Sequence, residues 1–259
     1  METQYGGGYN TFAVILTATD IEEESIRIRF ENWRLLQIPG DNQRYYETFI
    51  EVNGEKRRLI AARQEIMGMT ATSALAMKTT RNFLPKYLFM SGIAAGINSE
   101  KGQMYGDVLI PDTVWDYSAG KYVGPDESEI RFGDIGFLPR PTYLKTDPGL
   151  LEIIKKTMDD PENEFHVQIG PLACGTNVVA NEHVVNKQVR SLFPNTIGLD
   201  MESYGVYYVA ANSVRPHPKA LVIKSICDYA NSEKDDRFQR FAAYTSSGYV
   251  KYLLEKWLP

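Results

Sequence analysis

Residues 220–228 read ALVIKSICD, and this is the most strand-like stretch of the chain. A short apolar run rich in β-branched residues is typical of a strand that is buried on both faces. Similar runs stand at 12–16 (FAVIL) and 87–90 (YLFM), and segments with helical periodicity separate them. This alternation predicts an α/β fold, with a mixed, mainly parallel central sheet flanked by helices. We expect a single domain over residues 11–259, preceded by a flexible tail over residues 1–10.

Capping residues and apolar periodicity predict the helices around these strands. They are expected over 20–33, 69–82, 147–158, 182–192, 203–211 and 235–256. The last helix is expected to turn a stripe of five residues inward: Phe238, Phe241, Ala242, Thr245 and Tyr249.

Glycine and proline mark the connections. Asn53-Gly54 predicts a hairpin between residues 49–52 and 58–61. Residues 92–96 are expected to form a glycine-containing turn. Residues 117–141 hold many Gly, Pro and charged residues and predict a long loop, a feature that is often functional.

The composition excludes several classes of protein. With 43% hydrophobic and 24% charged residues among 259, the chain is expected to be globular. A net charge of -5 argues against a nucleic-acid partner. The two cysteines and three histidines lack ligand spacing, so no metal site or disulfide framework is expected. Without a signal-peptide pattern or a long apolar stretch, we expect a cytoplasmic protein with no membrane partner.

Polar segments directly follow four predicted strands, at 17–22, 92–96, 200–202 and 228. Ligands of α/β folds bind outside the carboxyl ends of the strands. We therefore expect an acidic pocket there, with no cluster of cations nearby. Each segment also has an ordinary explanation, since Glu22 and Glu202 begin helices, where a carboxylate complements the helix dipole, and Asp228 can cap a turn.

The segments taken together are more specific than any one of them. In chain order they are ILTA (15–18) with its acidic helix start, SGIAAGI (91–97), YGDVLI (105–110), DMES (200–203) and VIKSICD (222–228). Over about residues 12–256 the chain resembles the nucleoside phosphorylase and nucleosidase superfamily. Within it, the resemblance is strongest to the methylthioadenosine/S-adenosylhomocysteine nucleosidase branch.

The resemblance implies a role for each of several residues. Asp228 would protonate or hydrogen-bond N7 of a purine, Glu202 would accept hydrogen bonds from the ribose hydroxyls, and Met201 would pack beneath the sugar. Glu22 would orient or deprotonate the attacking water. The other implied substrate contacts are Val178 and Val179, whose backbone would hold the base, with Ala94, Ala95 and Cys227. Cys227 stands where the nucleosidase branch usually has a serine that helps to hold the aspartate.

These roles fit the chemistry of N-glycosidic cleavage. The sugar develops positive charge and the leaving base develops negative charge, so carboxylates near the sugar stabilise the transition state. A protonated acid at the base neutralises the leaving group, and this requires a raised pKa in a dry pocket. No metal or organic cofactor is required.

The nucleophile is predicted to be water. By resemblance, a phosphorylase would hold phosphate with an arginine and a hydroxyl residue near 92–96, but Met90 and Ile93 occupy those positions. A further arginine is expected after the first strand, and residues 17–24 contain none. The sequence thus favours hydrolysis of an adenosine-type nucleoside, with or without a 5′ modification, to free base and sugar.

Three alternatives stay open. One is a phosphorolytic purine or uridine phosphorylase, and another is a catalytically silent domain that senses nucleosides or nucleotides. A third concerns the substrate, since Lys121, which follows Trp115-Asp116-Tyr117, could meet a 5′-phosphate; a solvated surface lysine is the ordinary explanation. A nicotinamide-dependent oxidoreductase is disfavoured, because Thr17–Asp20 is not a glycine-rich fingerprint. The resemblance also implies a homo-oligomer.

Overall fold

A central ten-stranded sheet organises the computed structural model, which describes residues 8–132, 135–232 and 235–259. Thirteen strands are defined in these ranges. They are β1 (Thr11–Thr17), β2 (Arg34–Leu36), β3 (Tyr45–Val52), β4 (Glu55–Arg63), β5 (Pro85–Gly96), β6 (Val108–Asp116), β7 (Gly120–Val123), β8 (Arg131–Phe132), β9 (Ile135–Pro139), β10 (Tyr143–Lys145), β11 (Val167–Cys174), β12 (Gly198–Asp200) and β13 (Lys219–Asp228).

Six α-helices accompany the strands in the described ranges. They are α1 (Asp20–Arg29), α2 (Met69–Phe83), α3 (Pro148–Met158), α4 (Glu182–Val184), α5 (Ser203–Asn212) and α6 (Gln239–Tyr252). Wider π-type turns continue α4 over Val185–Arg190 and α6 over Leu253–Trp257. None of the helices in the described ranges has the length and apolarity that a membrane crossing demands.

The sheet runs in the order β10-β6-β11-β12-β5-β1-β4-β3-β2, and β13 pairs with both β5 and β6. This double pairing closes β5, β12, β11, β6 and β13 into a ring. β1, β4, β5 and β13 run parallel, whereas β12 runs antiparallel to β5 and β3 antiparallel to β4. The mixed α/β architecture confirms the predicted fold class. As a result, β1, β5 and β13 all end at one edge of the sheet.

Apolar packing on both faces of the sheet holds this edge in place. One core cluster joins the sheet to α2 and α5, through Leu75 and Val206 among others. The other joins it to α1 and α6, through Ile26 and Tyr249. α1 and α5 therefore both begin near this edge of the sheet, but they pack on opposite faces of it.

Several predicted elements are confirmed and others are corrected. The hairpin is present, and Asn53 and Gly54 both have positive φ (54° and 79°), as a two-residue hairpin turn requires. The predicted glycine turn at 92–96 is wrong, because these residues continue β5, with residues 92–95 paired to β13 and Gly96 paired to β12. Interstrand pairing here overrides the local preference of glycine.

Two further predictions are corrected at the level of whole elements. The long loop predicted over 117–141 contains a small three-stranded antiparallel sheet, β7-β9-β8, within its described part. The first helix ends at Arg29 rather than at Trp33. Phe30 has an extended backbone, so that the Trp33 ring packs edge-on against the Phe30 ring at 6.1 Å.

The ends of the chain add two details. Phe241 is 52% exposed, so the predicted inner stripe of the last helix is wrong at that position. Ala242 and Tyr249 are buried as predicted. Of the tail predicted over 1–10, residues 1–7 lie outside the described residues. In its last part, the Tyr9 hydroxyl donates to the His217 carbonyl at 2.8 Å.

Candidate active site

A cavity of about 420 Å³ opens where β1, β5, β12 and β13 end. The sequence alone predicted nine site residues, and all nine line this cavity: Glu22, Ala94, Ala95, Val178, Val179, Met201, Glu202, Cys227 and Asp228. The structure therefore brings together segments that lie as far apart as residues 22 and 228. Sheet topology accounts for this, since the carboxyl ends of parallel strands meet at one edge.

Glu22 is held by the backbone at the start of α1. Thr19 caps the helix, and a capping box forms between Thr19 and Glu22. The Glu22 Oε2 accepts hydrogen bonds from the N–H groups of Ala18 (2.7 Å) and Thr19 (2.9 Å). The Oε1 accepts one from the N–H of Ile93 at 2.8 Å. Burial raises the pKa of Glu22, while the charge of Lys224 opposes the rise.

Glu202 and Asp200 share the turn that enters α5. The Asp200 carboxylate accepts hydrogen bonds from the Ser203 hydroxyl (2.5 Å) and the Ser203 N–H (3.0 Å). Asp200 thus caps the helix, and Glu202 is left to face the cavity. The Glu202 Oε1 accepts a hydrogen bond from the Gly68 N–H at 3.1 Å. Glu202 therefore does more than complement the dipole of α5, because its carboxylate makes tertiary contacts with a distant part of the chain.

Lys224 is the residue that sequence reasoning missed. Its side chain is fully buried, with the Nζ 3.1 Å from Glu202 Oε2 and 3.5 Å from Asp200 Oδ2. Burial alone would lower the pKa of Lys224, but the surrounding carboxylates, Glu202 foremost, raise it. The expected acidic pocket therefore has one ammonium group directly behind it. A signal was present, since Lys224 is the single charged residue between Ala220 and Cys227 in a largely apolar strand, where a buried lysine requires partners.

Asp228 stands at the end of β13, where the pairing register with β5 shifts between Ile226 and Asp228. Such a bulge re-aims side chains, and here both Cys227 and Asp228 line the cavity. The Asp228 Oδ1 accepts a hydrogen bond from the Ala230 N–H at 2.9 Å. The Cys227 thiol donates a hydrogen bond to Asp228 Oδ2 at 3.4 Å.

Met90 and Ile93 do not provide an anion site of their own. Met90 is fully buried in the core, and the N–H of Ile93 is already used by Glu22. Among the described residues that line the cavity there is no lysine or arginine. Lys121 is exposed on β7 and lies outside the lining.

In the described ranges, no group of three or more His, Cys, Asp or Glu side chains is arranged so that it could hold a metal ion. The chemistry available is that of carboxylates in different environments. Glu22 is desolvated and amide-bound, Glu202 is paired with an ammonium, and Asp228 lies four residues beyond that ammonium on β13.

This fold places a cavity lined by several carboxylates at the carboxyl edge of a mixed α/β sheet. The chain belongs to the phosphorylase superfamily, whose family model matches residues 13–255. The family indicated by the sequence motifs is thereby confirmed.

Individual relatives place the chain within that family. It is 30% identical to a 5′-methylthioadenosine/S-adenosylhomocysteine nucleosidase of Buchnera aphidicola, over 74% of this chain and 77% of that protein. The uncharacterized protein y4jS of Sinorhizobium fredii is 28% identical over 87% of this chain. The ATP nucleosidase Cap17 of Escherichia coli is 25% identical over 74% of this chain. The chain spans 56% of the length of y4jS and 40% of Cap17.

Solved structures share the fold. The 5′-methylthioadenosine/S-adenosylhomocysteine nucleosidase of Neisseria meningitidis, in complex with methylthio-immucillin-A, superposes with a TM-score of 0.74. The match covers 95% of this chain and 99% of that one, at 21% sequence identity.

Proposed function

We propose that this protein hydrolyses the N-glycosidic bond of an adenosine-type nucleoside and releases free base and free sugar. The observation that carries the proposal is the division of one cavity between two kinds of carboxylate. Glu22 and Glu202 are gathered around Lys224, and Asp228 lies four residues further along β13. Because of the bulge, Asp228 pairs only three residues further along β5 than Lys224 does, which is a backbone separation of about 10 Å at about 3.3 Å per residue. We assign the sugar to the end at Glu22 and Glu202 and the base to the end at Asp228.

Asp228 is the proposed general acid. Its Oδ1 is occupied by the Ala230 N–H, and Oδ2 is the atom on the Cys227 side. A proton on this carboxyl group would be given to N7 of the purine as the glycosidic bond breaks. The electron pair of that bond then stays on a neutral base rather than on an anion.

Glu202 is the proposed partner of the ribose. One of its oxygens is held by the Gly68 N–H and the other by Lys224, so the carboxylate has a fixed position before substrate arrives. A fixed negative charge next to the sugar favours the oxocarbenium-like transition state, since it need not reorganise during the reaction. Met201, which also lines the cavity, provides apolar surface beneath the sugar ring.

Glu22 is the proposed base for the attacking water. Its raised pKa suits this task, because a more basic carboxylate accepts a proton more readily at neutral pH. The water oxygen would bond to the anomeric carbon, and its proton would pass to Glu22.

Water is favoured over phosphate by the charge of the cavity. Glu22, Asp200, Glu202, Asp228 and Asp236 all line it, and the described lining holds no cation. A phosphate dianion would meet like charges on several sides. The phosphorolytic purine or uridine phosphorylase is therefore the less favoured alternative.

The same charges favour a nucleoside over a nucleotide, although the similarity to an ATP nucleosidase supports a nucleotide as the second candidate substrate. An adenine nucleotide would need cations to bind its phosphates. Lys121 does not provide one, because it lies outside the cavity lining. A silent sensing domain is also disfavoured, since all three proposed catalytic carboxylates line one cavity.

A homo-oligomer is proposed from the surface next to the cavity. A second cavity of about 440 Å³ shares residues 177–179 with the first. Large apolar side chains around it are exposed, with Tyr122 at 71%, Val178 at 58% and Ile135 at 49%. Exposed apolar clusters of this kind are typical of protein interfaces. Analytical ultracentrifugation of the wild type and of Tyr122→Glu tests this, and a monomeric wild type would overturn it.

The test of the proposed reaction is base release measured by chromatography. Methylthioadenosine, adenosine, inosine, guanosine, uridine and adenine nucleotides are each incubated with and without phosphate. We expect free adenine and free sugar from an adenosine-type nucleoside, independent of phosphate. Strict dependence on phosphate would favour the phosphorylase alternative, and turnover of nucleotides alone would overturn the substrate assignment.

A further inference from the structure

A short turn between β4 and α2 brings the backbone of Gly68 to Glu202. Gln64 directly follows β4, and its N–H donates to the Thr17 carbonyl at 3.0 Å, which ties the start of the turn to the end of β1. At the other end of the turn Gly68 is the N-cap of α2, and its N–H donates to Glu202 Oε1 at 3.1 Å. Because an N-cap N–H has no partner within its own helix, this donor is available to Glu202.

Gly68 has a backbone conformation that only glycine adopts without strain. Its φ is 112° and its ψ is 160°, in a region that is essentially closed to residues with a Cβ. No described atom lies within 4 Å of the position that a Cβ would take. Glycine is therefore required here by the backbone that presents the N–H to Glu202, and not by a lack of space.

The Thr72 hydroxyl braces this turn from the inside. Thr72 lies near the start of α2 and is completely buried. Its hydroxyl oxygen lies 2.6 Å from Gln64 Oε1 and 3.0 Å from the Gly68 carbonyl oxygen. The proton of this hydroxyl is thus placed between acceptors at the two ends of the turn. One buried side chain holds both ends together.

The Gln64 side chain is only half satisfied. The residue is 2% exposed, and its Nε2 has no hydrogen-bond partner among the described residues. A buried donor without a partner destabilises the folded chain, and an apolar side chain of similar size would avoid that cost. The useful part of the Gln64 side chain is therefore the oxygen that accepts from Thr72.

We propose that Thr72, acting with Gln64, is a positioning residue that sets the preference for ribose over deoxyribose. The braced turn holds the Gly68 N–H, which fixes one oxygen of Glu202 while Lys224 fixes the other. A carboxylate that is fixed on both sides accepts further hydrogen bonds in one direction only, so it distinguishes a sugar that offers a hydroxyl there from one that does not. The proposal rests on the proposed function for the assignment of Glu202 to the sugar.

The test compares adenosine with 2′-deoxyadenosine and 3′-deoxyadenosine. Thr72→Val keeps the shape of the side chain but lacks the hydroxyl, and Thr72→Ser keeps the hydroxyl. We expect Thr72→Val to lower the ratio of kcat/KM for adenosine to that for a deoxy substrate about fivefold, the effect of one hydrogen bond. Thr72→Ser should keep the wild-type ratio. A merely structural defect would lower kcat/KM for every substrate alike and leave the ratio unchanged.

Thr79→Val is the matched control. Thr79 lies on the same helix and is also completely buried, but its hydroxyl bonds the Leu75 and Ala76 carbonyls of its own helix at 2.9 and 3.0 Å. Its variant should keep the wild-type ratio. The proposal is overturned if the ratio in Thr72→Val equals that of the wild type, or if it falls equally in both valine variants.

Gly68→Ala provides a second test should Thr72→Val fail to fold by circular dichroism. Its Cβ has free space, but alanine disfavours a φ of 112°, so the change acts on the direction of the N–H alone. We expect the same fall in the ratio. A folded Gly68→Ala with the wild-type ratio would also overturn the proposal.

Binding separates this proposal from the proposed function. The Kd of each of the same nucleosides is measured by isothermal titration calorimetry, with Asp228→Asn alone and with Asp228→Asn combined with Thr72→Val. If the wild type releases no base but the preference for adenosine in binding falls with Thr72→Val, the proposed function is refuted and the positioning role stands. Normal base release, with the preference unchanged in both kcat/KM and Kd, would refute the positioning role alone.

Discussion

Replacing Lys224 by methionine perturbs the centre of the buried charge cluster. Methionine keeps an unbranched side chain of similar length but lacks the ammonium group. In the wild type the Nζ lies 3.1 Å from Glu202 Oε2 and 3.5 Å from Asp200 Oδ2, and the Lys224 side chain has no exposure to solvent. The variant would leave two carboxylates in the interior without their cation.

The size of the effect follows from these distances. At an effective dielectric constant of about 20, each contact contributes an attraction of about 5 kcal/mol. Desolvation of the charges offsets much of this attraction. Removing one partner of a buried pair then costs about 3–5 kcal/mol, because the other charge stays buried. We expect Lys224→Met to lower the free energy of unfolding by this amount, a large part of the roughly 5–15 kcal/mol of an ordinary domain.

The loss should depend on pH. Lys224 lowers the pKa of both Asp200 and Glu22, which burial raises above the ordinary values of 3.8 and 4.5. Without Lys224 both pKa values rise further, so the folded variant binds more protons than its unfolded chain does. Its free energy of unfolding then falls as the pH rises through this range. The deficit relative to the wild type is therefore larger at about pH 7 than at about pH 5.

Urea denaturation followed by circular dichroism measures both effects. Lys219→Met is the matched control, because Lys219 lies on the same strand but is 46% exposed and pairs with Asp147 at 3.1 Å. A surface pair of this kind contributes at most about 1 kcal/mol. The reasoning is refuted if Lys224→Met costs no more than Lys219→Met, or if its cost is the same at both pH values.

Further predictions concern the proposed reaction. Asp228→Asn should reduce base release by about 10²-fold or more with an unchanged melting temperature, and near-normal turnover would remove Asp228 from the mechanism. Burial raises the pKa of Glu22 above 4.5, and protonated Glu22 cannot accept a proton. The kcat/KM of the wild type should therefore fall toward acid pH with a midpoint above that value, and a midpoint below it would contradict the role. Gly92→Ala should displace the Glu22 carboxylate, which an added Cβ would strike, and lower kcat; kinetics like those of the wild type would show that the carboxylate is free to move. Glu202→Gln should raise KM and lower kcat together, since the charge beside the ribose is lost; a change in neither would exclude Glu202 from the sugar site.

Local signals predicted much of the fold. The hairpin at Asn53-Gly54 and the helix that begins after the Asp147 cap depend on residues within a few positions of one another. Such elements are visible in a sequence, because their hydrogen bonds close locally. The strand-end segments likewise indicated that Glu22, Glu202 and Asp228 lie close together. Val178, Val179 and Cys227 were implied only by the resemblance to the family.

The errors fall where distant segments compete with local preference. Gly92 and Gly96 favour a turn in isolation, but pairing with β13 and β12 keeps them extended. Both positions are also crowded, since a Cβ at Gly96 would lie 2.9 Å from Ile226 Cδ1. Glycine is required there for close approach rather than for turning.

The sequence by itself determined the α/β class, the family and the set of carboxylates at the strand ends, because periodicity and motif order are properties of the chain. Only the tertiary structure decided what those carboxylates contact. Lys224 meets Glu202 and Asp200 because β13 runs beside the turn that enters α5, and Glu22 meets the Ile93 N–H because β1 pairs with β5. The Lys224–Glu202 contact joins residues 22 positions apart, and the Glu22–Ile93 contact joins residues 71 positions apart. Their energies depend on burial, which exists only once the sheet and its helices have packed.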